Sequence, residues 1–320
     1  MAGLISALVA LLLPDVGSRS IEYGDAWHGV YGNKNDLGRA MALATATLVL
    51  VAMEGGRYRW LVWGAAAGAF LVLLLARAAA SLVVCVTVLS LIPLFGALRL
   101  RFTAAMALWI LTVLLAALML TVVVSNLEST LSLLGRDTTL TGRTEIWEAV
   151  MASVAERPWL GYGFNAFWQE WTGPSASVLS AVGWETPHSH NGFLDLWLDL
   201  GAVGVIVFIL GLVAAARASV IRARYAEGAA DLWPLAFLTI LTLINFSESL
   251  VLKLHSLFWV LYVAILASPR VARTSARPSR FPAGSGPQSP TDERVSGVPI
   301  SRGHVSPGVR TAFWRRERHG

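Results

Sequence analysis

The sequence predicts an all-α membrane protein: about eight transmembrane helices and one long outer loop that itself carries short helices. Three observations predict it. Of the 320 residues, 55% are hydrophobic and only 14% charged, with a mean hydropathy of +0.61. A soluble domain carries about 25% charged residues. Several nearly uncharged runs reach the roughly 17–25 residues that a spanning helix needs. In hydrocarbon such runs must be helical, because backbone donors and acceptors find no water there.

The elements follow in order. Met1 to Leu13 is apolar but short, and Pro14 ends it. It lacks the basic residues that precede a signal-peptide core, so it reads as a whole or clipped first helix. A polar stretch runs from Asp15 to Asp36. Helix two covers about Leu37 to Met53 and stops at Glu54-Gly55-Gly56-Arg57. Helix three covers about Trp60 to Ala76, Arg77 interrupts, and helix four continues from about Ala78 to Leu98. Helix five covers about Phe102 to Val124. The long loop occupies 125–190. Helix six runs from about Asn191 to Ala216, helix seven from Leu232 to Phe246, and helix eight from Leu254 to Ala267. The chain thus divides into a transmembrane domain, 1–268, and a tail, 269–320. The tail is rich in Pro, Ser, Gly and Arg and reads as disordered.

Basic residues set the orientation. Arg57 and Arg59, Arg99 and Arg101, the Arg217–Arg224 group and the tail fall on one side when eight spans are counted. That side is expected to be cytoplasmic, with both termini. The long loop, Arg77 and the turn from Glu248 to Lys253 are then outside. The net charge of +5 and the pI of about 9.8 come from these helix-flanking arginines, so nucleic-acid binding is not expected. The single cysteine, Cys85, lies within an apolar run and excludes an intramolecular disulfide or a cysteine-built metal site.

The outer loop holds the unusual residues. Gly142-Arg143-Thr144-Glu145-Ile146-Trp147 opens a helical pattern with Ile146, Val150 and Val154 on one stripe, ended by Pro158. Such a helix lies along the membrane surface or over the bundle. Arg143 is in its first turn, where the helix dipole disfavours a cation; either an anion sits nearby or the arginine is solvated. Trp159, Tyr162, Phe164, Phe167, Trp168 and Trp171 form a dense aromatic group around Gly161 and Gly163. It suits an interfacial belt or a stacking surface for sugar rings.

The third feature, His188-Ser189-His190-Asn191-Gly192-Phe193-Leu194-Asp195, lies where the loop re-enters the membrane. Histidine can take a proton from a hydroxyl near neutral pH. Two histidines two apart also suit a metal, but further ligands of suitable type are not obvious nearby, so none is expected. Asp195 either orients His190 or caps the helix. Arg77 is a snorkelling residue at an interfacial turn or a charge aimed into the bundle.

Together with Arg157-Pro158-Trp159-Leu160-Gly161-Tyr162-Gly163, the Gly142–Trp147 and His188–Asp195 segments resemble the O-antigen ligase and polymerase superfamily. Trp27-His28-Gly29-Val30-Tyr31-Gly32-Asn33-Lys34-Asn35-Asp36-Leu37-Gly38 is similar to its exopolysaccharide-polymerase branch, and Asn245-Phe246-Ser247-Glu248-Ser249 to its late Asn-x-x-Glu-Ser stretch. The resemblance covers about residues 24–266. It implies a bacterial inner-membrane glycosyltransferase with a periplasmic loop, working without cofactor or metal. The donor would be a glycan on undecaprenyl pyrophosphate. The acceptor would be another glycan unit (polymerase) or lipid A-core (ligase), and the Lys34-Asn35 segment favours the polymerase.

The resemblance makes His190 the general base or the group that positions the acceptor hydroxyl. Arg143 would absorb the charge of the leaving pyrophosphate. Arg77, Arg157, Lys34, His188, Asp195, Tyr162, Trp168 and Glu248 complete the expected substrate-binding set. Family members usually carry ten or more spans, so about eight with a short first one imply a reduced member or an incomplete product. A transporter is the competing class. The uncharged middles of helices two, five and eight argue against it.

Overall fold

A computed structural model describes residues 26–100, 143–169, 171, 173–225, 227–253 and 256–268. The expected first helix, helix five, the start of the outer loop and the tail lie outside them. Among the described residues every regular element is helical: α1 (Lys34–Met53), α2 (Arg59–Leu75), α3 (Ala79–Ala97), α4 (Arg143–Glu156), α5 (Ala176–Val182), α6 (Gly192–Tyr225), α7 (Trp233–Ile244) and α8 (Leu257–Ala267). Short 3₁₀ turns, Gly173–Ser175 and Ala229–Leu232, precede α5 and α7.

Three of these helices, α1, α3 and α6, are long and apolar enough to cross a bilayer. Of the remaining apolar ones, α2 keeps its expected length, whereas α7 and α8 are shorter than the sequence reading expects. α7 has 12 residues and α8 has 11; at 1.5 Å per residue each covers under about 20 Å of a core about 30 Å thick. The shortfall has a local cause. Asn245 to Lys253 leaves the helical path and folds back against the start of α6: the Gly192 amide donates to the Asn245 carbonyl at 2.8 Å, and the Leu250 amide donates to Asn245 Oδ1 at 3.0 Å.

α1 begins three residues before the expected Leu37. Asn33 caps it, its side chain accepting from the Asn35 amide at 2.7 Å. α1 packs against α2 and α3. Gly38 permits the α3 contact, since a Cβ there would collide with Ala78 and stand 3.1 Å from Ser81 Oγ. One buried cluster joins Leu37, Met41, Val72, Leu73 and Cys85. A larger one joins α1, α3, α6, α7 and α8 around Leu50, Val88, Phe237 and Ile240.

α6 differs from the expected helix six in two ways. It runs to Tyr225, so Arg217, Arg222 and Arg224 ride on the helix instead of following it. Arginine is a good helix former whose stem can lie along apolar surface. It is also broken at Gly201, where φ is 65° and ψ is −169°. Beyond the break α6 carries an exposed apolar face, with Val207 65% and Leu210 64% accessible. A patch of that kind belongs in lipid, and the chain is a multi-pass membrane protein.

The segment 158–163 fills the break. The amides of Tyr162 and Gly163 donate to the carbonyls of Leu198 and Asp199 at 2.7 and 3.0 Å. The amides of Ala202 and Val203 donate to Pro158 and Trp159 at 2.8 and 3.2 Å. Four backbone groups of α6 flanking the break, the carbonyls of Leu198 and Asp199 and the amides of Ala202 and Val203, are thereby paired. Gly161 is required by the fit: its φ is +67°, and a Cβ would stand 2.8 Å from the Asp199 carbonyl carbon.

Candidate active site

Four chain segments meet at one end of the bundle: the first turns of α1, the start of α4, the loop 186–191 before α6, and the 245–253 segment after α7. Arg57, Arg59, Arg99, Arg222 and Arg224 occupy the other end, where Arg99 donates to the carbonyls of Ala223, Glu227 and Gly228 and Glu54 accepts from the Ala230 amide. The 20 residues of α1 separate the two ends by about 30 Å.

Glu248 is the centre of the first end. The residue is 7% exposed. Asn35 Nδ2 donates to Oε1 at 2.9 Å. Arg39 lies 3.6 Å from Oε2 and Arg143 lies 3.9 Å from Oε1. Arg39 also pairs with Asp36 one turn back on α1. Burial pushes the Glu248 carboxyl above its ordinary range, against the pull of Arg39 and Arg143. One nitrogen each from His188 and His190 lies within 4.8 Å of a Glu248 oxygen and of the other.

The histidines are held by the loop that carries them. His190 adopts a left-handed φ of 57°, a conformation that costs a non-glycine residue about 1–3 kcal/mol and persists where its surroundings fix it. The fixing groups are visible. The His190 amide donates to His188 Nδ1 at 3.1 Å, and the two rings meet edge to face at 4.2 Å. Trp147 Nε1 donates to the Ser189 carbonyl at 2.9 Å.

Asp195 accepts from the Ser189 amide and Trp168 Nε1, each at 3.0 Å, and from the Ser249 hydroxyl. Asp195 therefore staples the histidine loop, the aromatic loop and the Glu248 segment together. The helix-capping alternative falls to Asn191, whose Oδ1 accepts from the amides of Phe193 and Leu194.

Both rings are held neutral at physiological pH. Burial lowers His188 to about 3, with His190, Lys253, Arg39 and Arg143 adding to the effect. Burial and then Arg143 lower His190 to about 4, against the pull of Asp195. His190 Nδ1 is buried without a hydrogen-bond partner. A neutral ring with a spare nitrogen suits a proton acceptor. The cluster is less well suited to a cation. Tetrahedral zinc needs its ligand atoms about 3.4 Å apart, and it would have to take Glu248 from two guanidiniums.

The expected site residues divide. His188, His190, Glu248 and Arg143 come together, and Asp195 and Trp168 support them. Lys34 opens α1 beside Asn35. Arg77 is exposed in the α2–α3 turn at φ +50°. Among the described residues no hydrogen bond or ion pair ties its side chain to the cluster. Arg157 stacks on the Tyr162 ring at 4.9 Å, and the Tyr162 hydroxyl donates to the Ser153 carbonyl and Glu156. This pair stabilises the end of α4.

The aromatic group splits likewise. Phe167 is fully buried with Ile146, Val150 and Val154 against Val178 and Leu198, so α4 lies over protein. Trp159 and Leu160 are 69% and 74% exposed, beside the apolar face of α6, where a membrane interface belongs.

Arg39, Asn35 and Lys253 were missed. Arg39 did carry a signal: an ionisable residue one turn inside an apolar span has a function by default. Starting the helix at Leu37 hides it among apolar neighbours.

Half-buried arginines, two histidines and a buried carboxylate thus converge at one end of a multi-pass helical membrane protein. The family model described as O-Antigen ligase matches residues 40–209, more than half the chain, and the chain belongs to that family. An 87-residue stretch is 30% identical to Exopolysaccharide production protein ExoQ of Rhizobium meliloti (strain 1021). That match covers 25% of this chain and 19% of the relative, so the chain aligns with about a fifth of that protein's length.

Proposed function

We propose that the protein polymerises undecaprenyl-pyrophosphate-linked glycan repeat units by metal-independent glycosyl transfer, at the periplasmic face of a bacterial inner membrane. The carrying observation is the convergence of Arg143 with His188 and His190 on Glu248, contributed by three separate segments. The acceptor hydroxyl oxygen bonds to the donor sugar's C1 as the bond from C1 to the pyrophosphate oxygen breaks. His190 takes the hydroxyl proton. Arg143 takes up the charge that develops on the leaving pyrophosphate, which a site without Mg²⁺ must supply from guanidiniums. His188 and Asp195 position His190, and Trp168 is held beside them. The basic bundle end faces the cytoplasm, which puts the site outside.

Likeness to an exopolysaccharide production protein and the Lys34-Asn35 segment favour the polymerase. The alternative is a ligase that delivers the glycan to lipid A-core, favoured by the family's description. Deleting the gene separates them. Accumulated single lipid-linked repeat units support the polymerase, and accumulated long lipid-linked chains support the ligase. Complementation with His190→Ala should yield no polymer at wild-type expression. Full-length polymer from that variant would remove His190 from the chemistry.

A further inference from the structure

We infer that Glu248 is an internal stand-in for the phosphate ligand: in the ligand-free protein its carboxylate occupies the seat between Arg39 and Arg143 that a diphosphate takes, and the ligand enters by displacing it. This rests on the reading of the cluster as the site for a lipid-linked diphosphate, and it adds Arg39 to the groups that bind it.

The geometry carries the inference. The two guanidiniums reach different oxygens of one carboxylate, Arg39 toward Oε2 and Arg143 toward Oε1. The separations of 3.6 and 3.9 Å are long for charge-assisted hydrogen bonds, which close to about 2.7–2.9 Å. A single carboxylate thus bridges two cations, each through a different oxygen. A diphosphate offers oxygens on two phosphorus centres and can give each guanidinium its own acceptors. The Asn35 contact, at 2.9 Å, is by contrast of ordinary hydrogen-bond length.

Glu248 also lies in the turn segment between Asn245 and Lys253, where its amide donates to the Ile244 carbonyl at 2.9 Å. Its neighbours Ser249 and Leu250 are tied down, by Asp195 and Asn245 respectively. The motion needed is therefore a rotation of the Glu248 side chain alone. The surrounding charge favours the exchange. Arg39, Arg143 and Lys253 all lower His188 through space, so three cations act on this pocket. Of the described carboxylates at the seat, Asp36 is already paired with Arg39 and Glu248 bridges Arg39 and Arg143. Removing Glu248 leaves a cationic cup that a polyanion refills.

The test uses the full chain in detergent micelles and inorganic pyrophosphate as the probe, with affinity read by calorimetry. Glu248→Gln keeps the shape and removes the competing charge, so pyrophosphate should bind roughly tenfold or more tighter than to wild type. Arg39→Gln should weaken binding by a similar factor. Asn35→Ala loosens Glu248 without changing any charge and should tighten binding by about two- to fivefold. It keeps the idea testable if the glutamine variant folds poorly. Unchanged or weaker binding in both Glu248→Gln and Asn35→Ala would overturn the inference. So would saturable Zn²⁺ binding that Glu248→Gln abolishes, since the carboxylate would then be a ligand. If wild type makes polymer and binds pyrophosphate, but the variants show no tightening, the displacement idea fails and the enzyme reading stands. If wild type neither binds pyrophosphate nor makes polymer, the enzyme reading fails with it.

Discussion

Replacing Gly201 with alanine tests the helix break from which the site is hung. At φ 65° and ψ −169° the residue sits in a region that is essentially closed to side chains, at a cost of about 1–3 kcal/mol. A Cβ would also collide with the Trp159 carbonyl and the Leu160 amide. The chain must therefore shift, and the four backbone hydrogen bonds that join 158–163 to 198–203 are at stake. Each contributes about 0.5–1.5 kcal/mol net. With half of them lost, the total penalty is about 2–6 kcal/mol, a fall on the order of 10 °C in melting temperature. The assay is a thermal melt of the detergent-purified protein, run beside Gly68→Ala, whose added Cβ meets nothing within 4 Å. Polymer formation should fall too, because the segment above the break carries Asn191, Asp195 and the histidine loop. A Gly201→Ala protein that melts within two or so degrees of wild type and keeps full activity would refute the reasoning.

Three further outcomes are expected. Arg143→Lys should lose most activity, because an ammonium cannot reproduce the planar fork that grips two phosphate oxygens; wild-type rates with lysine would show that a point charge suffices. Asp195→Ala strands three donors, the Ser189 amide, Trp168 Nε1 and the Ser249 hydroxyl. It should destabilise the protein by about 3 kcal/mol or more and speed amide exchange in 186–191; unaltered exchange there would remove Asp195 as a positioning residue. The acid limb of kcat/KM should fall near pH 4 and not near 6.5, since His190 is neutral until about pH 4. The sign for stability agrees. A depressed histidine keeps the unfolded chain the better proton binder between 4 and 6.5, so stability is full above 6.5 and declines as pH falls toward 4. An acid limb at 6.5 would place the working base elsewhere.

Much of this fold is legible in the sequence where one rule acts alone. The runs at 37–53, 60–76 and 78–98 became α1, α2 and α3 with ends within about three residues, because length and apolarity suffice in hydrocarbon. The Ile146, Val150 and Val154 stripe is buried as its spacing implies. Legibility ends where two distant segments share hydrogen bonds. The sequence reading makes helix six continuous from Asn191 to Ala216; the break at Gly201 is stabilised by Pro158 to Gly163, some forty residues earlier. The same holds for Asn245. Its carbonyl and side chain are claimed by Gly192 and Leu250, which ends α7 short of any local signal. At the site, His190 and Arg143 stand out by residue type and context. Arg39 carries only the weaker signal of a charge inside an apolar span, and the partner that gives it meaning, Glu248, is 209 residues away in the chain.

The low basicity of His190 looks at first like an argument against it as a base, and the charges around it resolve the difficulty. Burial comes first among the causes and Arg143 second. Burial is a property of the fold, but the Arg143 contribution depends on what the arginine faces. A pyrophosphate docked on Arg143 brings negative charge next to the ring and cancels that contribution, so the imidazole gains basicity when a donor is bound. The free protein then holds a neutral ring that neither repels the arginine nor wastes the base by protonation. The complex holds a stronger acceptor at the moment a hydroxyl must be deprotonated. The consequence is a separation between two profiles: the acid limb of kcat, which reports the complex, should lie at higher pH than that of kcat/KM, which reports the free protein. Coincident limbs would mean that the anion docks too far from His190 for the two to act together.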